Sequence, residues 1–448
     1  YTTSENNVEE IQHHYAHALT AFHTCPKSWN DEDILCVTID GQGDKLCASV
    51  HEVIDSELYE LVNVSKDASL CNIFAMATKS IGFVPNADEG KLEALACYAQ
   101  NPKKHLYEDL AKSFFIDQDS LEIKVDKFNL SKVKLKVKKK IYLKSLSRTD
   151  FAWNMQQFFE DFYLEWVEKL SIKYKKNRIA LSGGGTANVK LNRRIFESKN
   201  IKSIHIFPAM GDDGVAFGAA IYPFVNTKYS KSFRNLGLPY WGYLIKNEEA
   251  ENTANLLDKN FFNIKKHSLD ELADLISQKI NDGKIGSICR DSAEFGPRAL
   301  GNRSIVASPV NKNVRDRINK SFKKRDWFQP FCPIIDIKAC PKYLKNWYVN
   351  KHMTCAFTVN ECAFKDIPSC VHVDGTARAQ ILCEGDNILL NLIMSNLENL
   401  GHPQVILNTS FNLHGRSMVR TSIDALNDFL DCDLDFMVLG DIFIERKR

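Results

Sequence analysis

A chain of 448 residues is too long for one small core and is expected to fold as two domains. Its 44% apolar and 25% charged residues are those of an ordinary globular protein, and a net charge of +2 does not favour a nucleic-acid partner. No apolar run reaches the roughly 18 residues of a bilayer span and the sequence opens on Tyr1 with no basic-then-apolar leader, so no membrane partner is expected. The thirteen cysteines form no C-x-x-C pair and no regular framework, as expected of reduced thiols in a cytoplasmic chain.

The first strong pattern is Gln12-His13-His14-Tyr15-Ala16-His17. On a helix His13 and His17 share one face a turn apart, so both imidazoles can reach a single ion, although the same spacing suits a core or solvated pair. Two aspartates offer further ligands. Asp40 follows the apolar run 34–39 and opens the turn Asp40-Gly41-Gln42-Gly43-Asp44; Asp212 stands in Met210-Gly211-Asp212-Asp213-Gly214, a turn before the apolar segment 215–222. Residues 88–96 read as a helix entered from a polar turn. Residues 132–140 alternate lysine with Val133, Leu135 and Val137, the period of a strand whose lysines either protect an edge from pairing or attract an anionic partner.

Thr149 or Asp150 is then expected to cap a long helix with a buried stripe of Met155, Phe159, Phe162, Trp166 and Leu170. A strand at 178–181 runs into Ser182-Gly183-Gly184-Gly185-Thr186-Ala187-Asn188 and a helix through Phe196. Such a strand, glycine turn and helix start lets backbone N–H groups meet a nucleotide, but many strand-to-helix turns need glycine for other reasons. A polar stretch at 226–233, a helix at 270–281 and a new strand at 284–290 place the domain boundary near 228–240.

The second half gathers donor-rich loops. Glu294-Phe295-Gly296-Pro297-Arg298-Ala299-Leu300-Gly301-Asn302-Arg303-Ser304 points arginine forks out of a glycine- and proline-fixed loop, and Lys323-Lys324-Arg325-Asp326-Trp327-Phe328-Gln329-Pro330-Phe331 sets cations beside aromatics. His372-Val373-Asp374-Gly375-Thr376-Ala377-Arg378 and Asn408-Thr409-Ser410-Phe411-Asn412 end further runs. Each alone suits a capped or salt-bridged surface loop; together they suggest a phosphate-recognition pocket.

These runs, spread over most of the chain, resemble the O-carbamoyltransferase family of antibiotic-tailoring and nodulation enzymes. The resemblance implies an α/β protein. Residues 1–232 would form an actin/sugar-kinase/Hsp70-like carbamoyl-transfer domain that binds metal and nucleotide, and residues 240–448 a carbamoyl-adenylate-forming domain of the threonylcarbamoyl-adenylate-synthase type. Such proteins join carbamoyl phosphate to ATP, release pyrophosphate and phosphate, and pass the carbamoyl group of the adenylate to a hydroxyl of a sugar or natural product. The logic is chemical: a carbamate carbonyl is a poor electrophile, AMP is a good leaving group, and an enclosed site is needed to keep water from the intermediate.

Carried over residue by residue, the resemblance makes His13, His17, Asp40 and Asp212 ligands of a divalent metal, ferrous iron first, with manganese or zinc as alternatives. Gly183, Gly184, Gly185, Asn188 and Gly211 would hold nucleotide. Lys323 and Arg378 would take phosphate or carbamoyl oxygens with Ser410 and Asn408 beside them, and Arg298, Arg303 and Arg325 would support the anion. The family begins upstream with two strands and a His-Asp-Ala-Ser turn, so the first domain is expected to be incomplete at its start. The family's Lys-x-Arg-Glu-x-Phe-Arg-Pro-Phe carries Gln329 here in place of an arginine, and its Met-Gly-Leu-Ala-Pro-Tyr-Gly reads Glu93-Ala94-Leu95-Ala96-Cys97-Tyr98-Ala99. Two further readings stay open: an impaired or truncated homologue that binds nucleotide or a partner, and carbamoyl transfer to tRNA, disfavoured by the near-neutral charge.

Overall fold

The computed structural model describes residues 9–225, 227, 234 and 237–447. The chain divides into two units, Tyr1–Leu236 and Gly237–Arg448, each mixed α/β. Most of the polar stretch at 226–233 lies outside the described residues.

In the first unit helix α1 (His13–Thr24) precedes an antiparallel meander of β1 (Ile34–Gly43), β2 (Leu46–Ile54) and β3 (Glu57–Ser65). Both hairpins close on two residues with positive φ, Asp44-Lys45 and Asp55-Ser56, the geometry that matches strand twist in a two-residue turn. Helices α2 (Leu70–Ser80), α3 (Glu89–Ala96) and α4 (His105–Ala111) follow, then a small hairpin of β4 (Phe114–Ile116) and β5 (Ile123–Val125), and helices α5 (Lys127–Lys138) and α6 (Arg148–Tyr174). Strand β6 (Arg178–Ser182), α7 (Val189–Glu197), β7 (Ser203–Ile206) and α8 (Asp212–Ile221) complete the unit. The sheet order is β3-β2-β1-β6-β7, with β6 parallel to β1 and β7 parallel to β6, in keeping with the actin-type expectation. Central β1 is buried from Ile34 to Asp40, which is why it reads as an unbroken apolar run.

Three local expectations change. Residues 132–140 lie mostly in helix α5, not in a strand, because Leu130, Val133 and Val137 recur at helical spacing and are the buried residues, while Leu135 is exposed. Asp126 starts this helix by accepting the amide of Asn129, and lysine is a good helix former. The cap of α6 is Ser147, which accepts from the Asp150 amide, rather than Thr149 or Asp150; the stripe from Met155 to Leu170 is buried. Asp212 sits in the first turn of a helix rather than in a turn ahead of one.

The second unit contains α9 (Asn247–Ala254), β8 (Phe262–Lys266), α10 (Leu269–Asn281), β9 (Gly286–Cys289), β10 (Arg303–Ala307) and α11 (Lys312–Ile318). After β11 (Cys332–Asp336) and α12 (Cys340–Tyr343) come the short β12 (Phe357–Thr358), α13 (Ala363–Asp366), β13 (Thr376–Ala377) and β14 (Gln380–Leu382). The unit ends with α14 (Ile388–Asn399), β15 (Val405–Ser410), α15 (Ser422–Leu430), β16 (Phe436–Leu439) and β17 (Ile442–Arg446). Its eight-stranded sheet runs β14-β11-β15-β10-β9-β16-β17-β8. Neighbouring residues of β10 enter different apolar clusters, Ile305 one and Val306 the other, so both faces of the sheet are covered. All thirteen cysteines are free thiols, and among the described residues no helix is long and apolar enough to cross a membrane.

Candidate functional site

Helix α1 puts His13 and His17 one turn apart, and two other elements bring a carboxylate to each side of the pair. His13 Nε2 lies 3.5 Å from Asp40 Oδ2 and 3.6 Å from Asp212 Oδ1, and His17 Nε2 lies 3.7 Å from Asp212 Oδ1. One ligand atom from each of the four falls within 4.8 Å of all the others. Ligands about 2.1 Å from a shared tetrahedral cation stand about 3.4 Å apart, so these three distances need little adjustment. Both Nε2 atoms are buried without a hydrogen-bond partner, a costly state for a polar atom unless something else is meant to meet it. The tautomers suit a ligand: Ser182 Oγ can donate to the Met210 carbonyl, which leaves it to accept from His17 Nδ1 at 3.0 Å and turns the lone pair of Nε2 inward. The residues therefore fit a divalent cation held by two imidazoles and two carboxylates.

The polypeptide reaches this geometry through two close approaches. Strand β1 loses register between Ile39 and Gly43, the kind of irregularity that re-aims a side chain, and Asp40 stands within it. The Gly184 amide then donates to Asp40 Oδ1 at 2.7 Å. Gly183, at φ +96°, carries the chain so near β1 that a Cβ there would come 2.3 Å from the Ile39 carbonyl oxygen. Burial acts to raise the Asp40 carboxyl, but His13 and the Gly184 amide outweigh it and bring it down to about 2. The same carboxylate holds the His13 imidazole above its usual value.

This arrangement assigns the glycine turn differently from the sequence expectation. The Gly183 amide donates to the Met210 carbonyl and the Gly184 amide to Asp40, so neither is left for a phosphate. Asn188 caps α7 through its Oδ1, which accepts from the Leu191 amide, and exchanges hydrogen bonds with Gln156. Glu93, in the stretch that departs from the family pattern, accepts the Lys190 amide in the first turn of α7. The turn thus aims Asp40 and starts a helix, with the Gly183 and Gly184 amides already engaged. Gly185 is buried against Ile39, and Gly211 precedes α8 with open space around it.

In the second unit a short π-helical turn, Asn319–Lys323, delivers Lys323 into the interior. Its Nζ donates to Ser410 O at 2.5 Å, Ser410 Oγ at 3.1 Å and Asn412 Oδ1 at 2.7 Å. Arg325 donates to Thr409 Oγ1 and lies over the Phe331 ring, while Arg378 places Nε and Nη2 at 3.1 and 3.0 Å from Cys332 Sγ. Among the described residues no carboxylate pairs with Lys323, Arg325 or Arg378. Burial pushes the Lys323 ammonium well below its ordinary value, with Arg325 adding to it, and brings Arg325 down to about 10. The buried Lys323 and the half-buried Arg325 and Arg378, with hydroxyl and amide groups beside them, are the candidate anion site of this unit. Asn412, Thr409 and Cys332 were not assigned from sequence. Asn412 is two residues beyond Ser410 and was within reach of an alternation argument, but nothing in the sequence links Cys332 to Arg378.

Two other residues expected at the anion are used elsewhere. Arg303 is fully buried, and its two terminal nitrogens donate to the carbonyls of Arg290, Asn302, Tyr243, Asp291 and Arg420. It fastens loops together, a correction that follows from its lying on a central strand. Glu294 organises the same loop by accepting the amides of Leu300, Asn302 and Arg303. Asn408 donates to the Ala299 carbonyl, and its Oδ1 is buried without a partner. Arg298 is half-buried on that loop.

Residues 2–221 match the family model described as Carbamoyltransferase N-terminus, and residues 277–446 the one described as Carbamoyltransferase C-terminus. An uncharacterized protein of Methanocaldococcus jannaschii is 35% identical over 98% of this chain and 74% of its own. Nodulation protein NolO of Bradyrhizobium diazoefficiens is 27% identical over 98% of this chain and 79% of its own. The 3'-hydroxymethylcephem-O-carbamoyltransferase of Amycolatopsis lactamdurans is 25% identical over 60% of this chain and 49% of its own.

Proposed function

The chain belongs to the carbamoyltransferase family and is a transferase, and from that premise we propose that it transfers a carbamoyl group to a hydroxyl of a sugar or natural product through a carbamoyl adenylate. The observation that carries the reading is the buried Lys323 with the half-buried Arg325 and Arg378 beside it, none of them paired with a carboxylate among the described residues. Carbamoyl phosphate and ATP are both polyanions of the kind such a trio receives. One water is consumed as phosphate leaves carbamoyl phosphate; an oxygen of the carbamate bonds to the α-phosphorus of ATP, and pyrophosphate departs. Lys323, with Ser410 and Asn412 fixing its Nζ, neutralises charge on the incoming oxygens, and Arg378 holds the second anion. In the transfer step the acceptor hydroxyl oxygen attacks the carbamoyl carbon, the C–O bond to AMP breaks, and the hydroxyl proton is lost.

His13, His17, Asp40 and Asp212 would hold a divalent cation, with ferrous iron proposed first and manganese or zinc also compatible with two imidazoles and two carboxylates. Such an ion supplies Lewis acidity that polarises an oxygen of the reacting groups. Asp212, whose side chain is 76% exposed, leaves the solvent side of the cluster open, and buried His17 closes the other.

Incubation with carbamoyl phosphate and ATP tests the proposal: pyrophosphate is expected, and Lys323→Met is expected to reduce its release about 100-fold, the usual scale for losing one preorganised donor. Folded protein that releases no pyrophosphate would overturn the adenylate. Pyrophosphate release with the carbamoyl group delivered to tRNA would overturn the acceptor.

A further inference from the structure

The lysine-rich stretch has no role in the chemistry above, and its fold removes the explanation its sequence suggested. Residues 127–140 carry seven lysines and no acid, leaving the rest of the chain with more acids than bases. On a strand such lysines would guard an edge; on helix α5 there is no edge to guard. Lysines near a helix C-terminus do favour its carbonyls, which accounts for Lys136 and Lys138 but not for the rest of the face.

That face has a definite pattern. Leu130, Val133 and Val137 point into the unit, and at 100° per residue Phe128, Lys132, Leu135 and Lys139 form the stripe opposite them. Phe128 is 67% exposed and Leu135 50%, and Lys132 holds its ammonium 3.7 Å from the centre of the Phe128 ring. Lys136 is paired with Asp109 and Lys127 stands 3.9 Å from Asp67, but Lys132, Lys134, Lys138, Lys139 and Lys140 have no ion-pair partner among the described residues. An outward line of alternating apolar and cationic side chains, flanked by more cations, matches a surface that is anionic outside and apolar beneath.

We propose that the outer face of α5 docks on an anionic phospholipid bilayer, with Phe128 and Leu135 entering the headgroup boundary and the lysines meeting phosphates. A nucleic acid would satisfy the lysines but leave Leu135 in water. A second copy of the chain meeting this face across a two-fold would set lysine against lysine. The sequence expectation of no membrane partner rested on the lack of a spanning run, which a surface contact does not need.

Co-sedimentation of the full chain with vesicles of phosphatidylcholine, alone or mixed with phosphatidylserine, tests the proposal. Binding to the mixed vesicles only is expected, and it should fall steeply as salt is raised. Each lysine removed should weaken binding about fivefold, so Lys132→Gln with Lys139→Gln should cost about 25-fold, and Phe128→Ser should weaken binding further. The charge-preserving pair Lys132→Arg with Lys139→Arg should retain it. Unchanged thermal melting of each variant shows that the fold is kept. No sedimentation with anionic vesicles overturns the proposal, as does binding indifferent to these substitutions. Retention on heparin without vesicle binding also overturns it and reassigns the face to an anionic polymer.

Discussion

Asp40 and Gly184 lie 144 residues apart in sequence, and the amide of one donates to the carboxylate of the other at 2.7 Å. That bond fixes Oδ1 and leaves Oδ2 facing His13 at 3.5 Å. The glycine turn is therefore part of the candidate cation site, acting through the orientation of a ligand. In Asp40→Asn the side-chain oxygen can still accept from Gly184, but its other arm is a neutral amide. Affinity for a divalent ion should fall at least tenfold, about the scale seen for even outer-shell changes, with little change in melting temperature. Titration with manganese followed by calorimetry measures both; unchanged affinity would remove Asp40 from the ligand set.

The ligand positions also depend on how closely α1 and α8 pack. A Cβ on Gly218 would lie 2.0 Å from the Ala16 carbonyl oxygen, and Thr20 Oγ1 donates to the Gly214 carbonyl at 2.8 Å between the same helices. Gly218→Ala must push the helices apart, separating His13 and His17 from Asp212 without touching any of the three. It should cost about 1–3 kcal/mol of stability, as overpacking does, and should weaken metal binding as well. Urea unfolding and the same manganese titration would detect the two effects; lost stability with intact metal affinity would show that the packing does not set the ligands.

The parts of the protein that were legible in the sequence are those where residue type and spacing share one cause. The HxxxH spacing could be read because a helix is the one element that superposes positions 13 and 17, whereas the glycine turn was legible as a strand-to-helix turn but not as the brace for Asp40, because the close approach of Gly183 to Ile39 joins distant parts of the chain. The lysine stretch was misread because Val133 and Val137 satisfy a two-residue and a four-residue period equally, and burial at Leu130 and exposure at Leu135 decide between them. Arg303 looked like an anion ligand because an arginine in a glycine-rich loop suggests outward donors, whereas β10 turns this one into the interior. The Arg378–Cys332 contact joins the link between β13 and β14 to the first residue of β11, and no local pattern records it.

His51 on β2 is buried, and burial, reinforced by nearby His14, lowers its imidazole to about 4. An unfolded chain would protonate it near pH 6.5, so the folded state binds fewer protons between those values. Its contribution to stability is fully present above the unfolded value and is lost progressively as pH falls from there toward about 4, at about 1.4 kcal/mol per pH unit at most. His51→Gln should flatten this part of the profile. Urea midpoints recorded across the range test it, and an identical slope in the variant would assign the acid sensitivity to other groups.

Arg303 and Arg378 were expected to share a task, and their surroundings predict opposite outcomes for the same substitution. Arg303 has no exposed surface and donates to five carbonyls, three of them through Nη2, which an ammonium on a lysine stem cannot span. Arg303→Lys should leave several buried carbonyls unpaired and lower stability by about 2–4 kcal/mol, from penalties of about 1–3 kcal/mol for each, while protein that stays folded keeps its KM for carbamoyl phosphate. Arg378 points Nε and Nη2 at one thiol, and in the proposed function its charge meets the anion. Arg378→Lys should therefore change melting little and raise KM, or lower kcat, about tenfold or more through the lost fork geometry. Melting curves and initial rates of pyrophosphate release separate the two. If Arg303→Lys melted normally and lost affinity for carbamoyl phosphate, Arg303 would return to the anion site and its carbonyl contacts would have to be exchanged on binding.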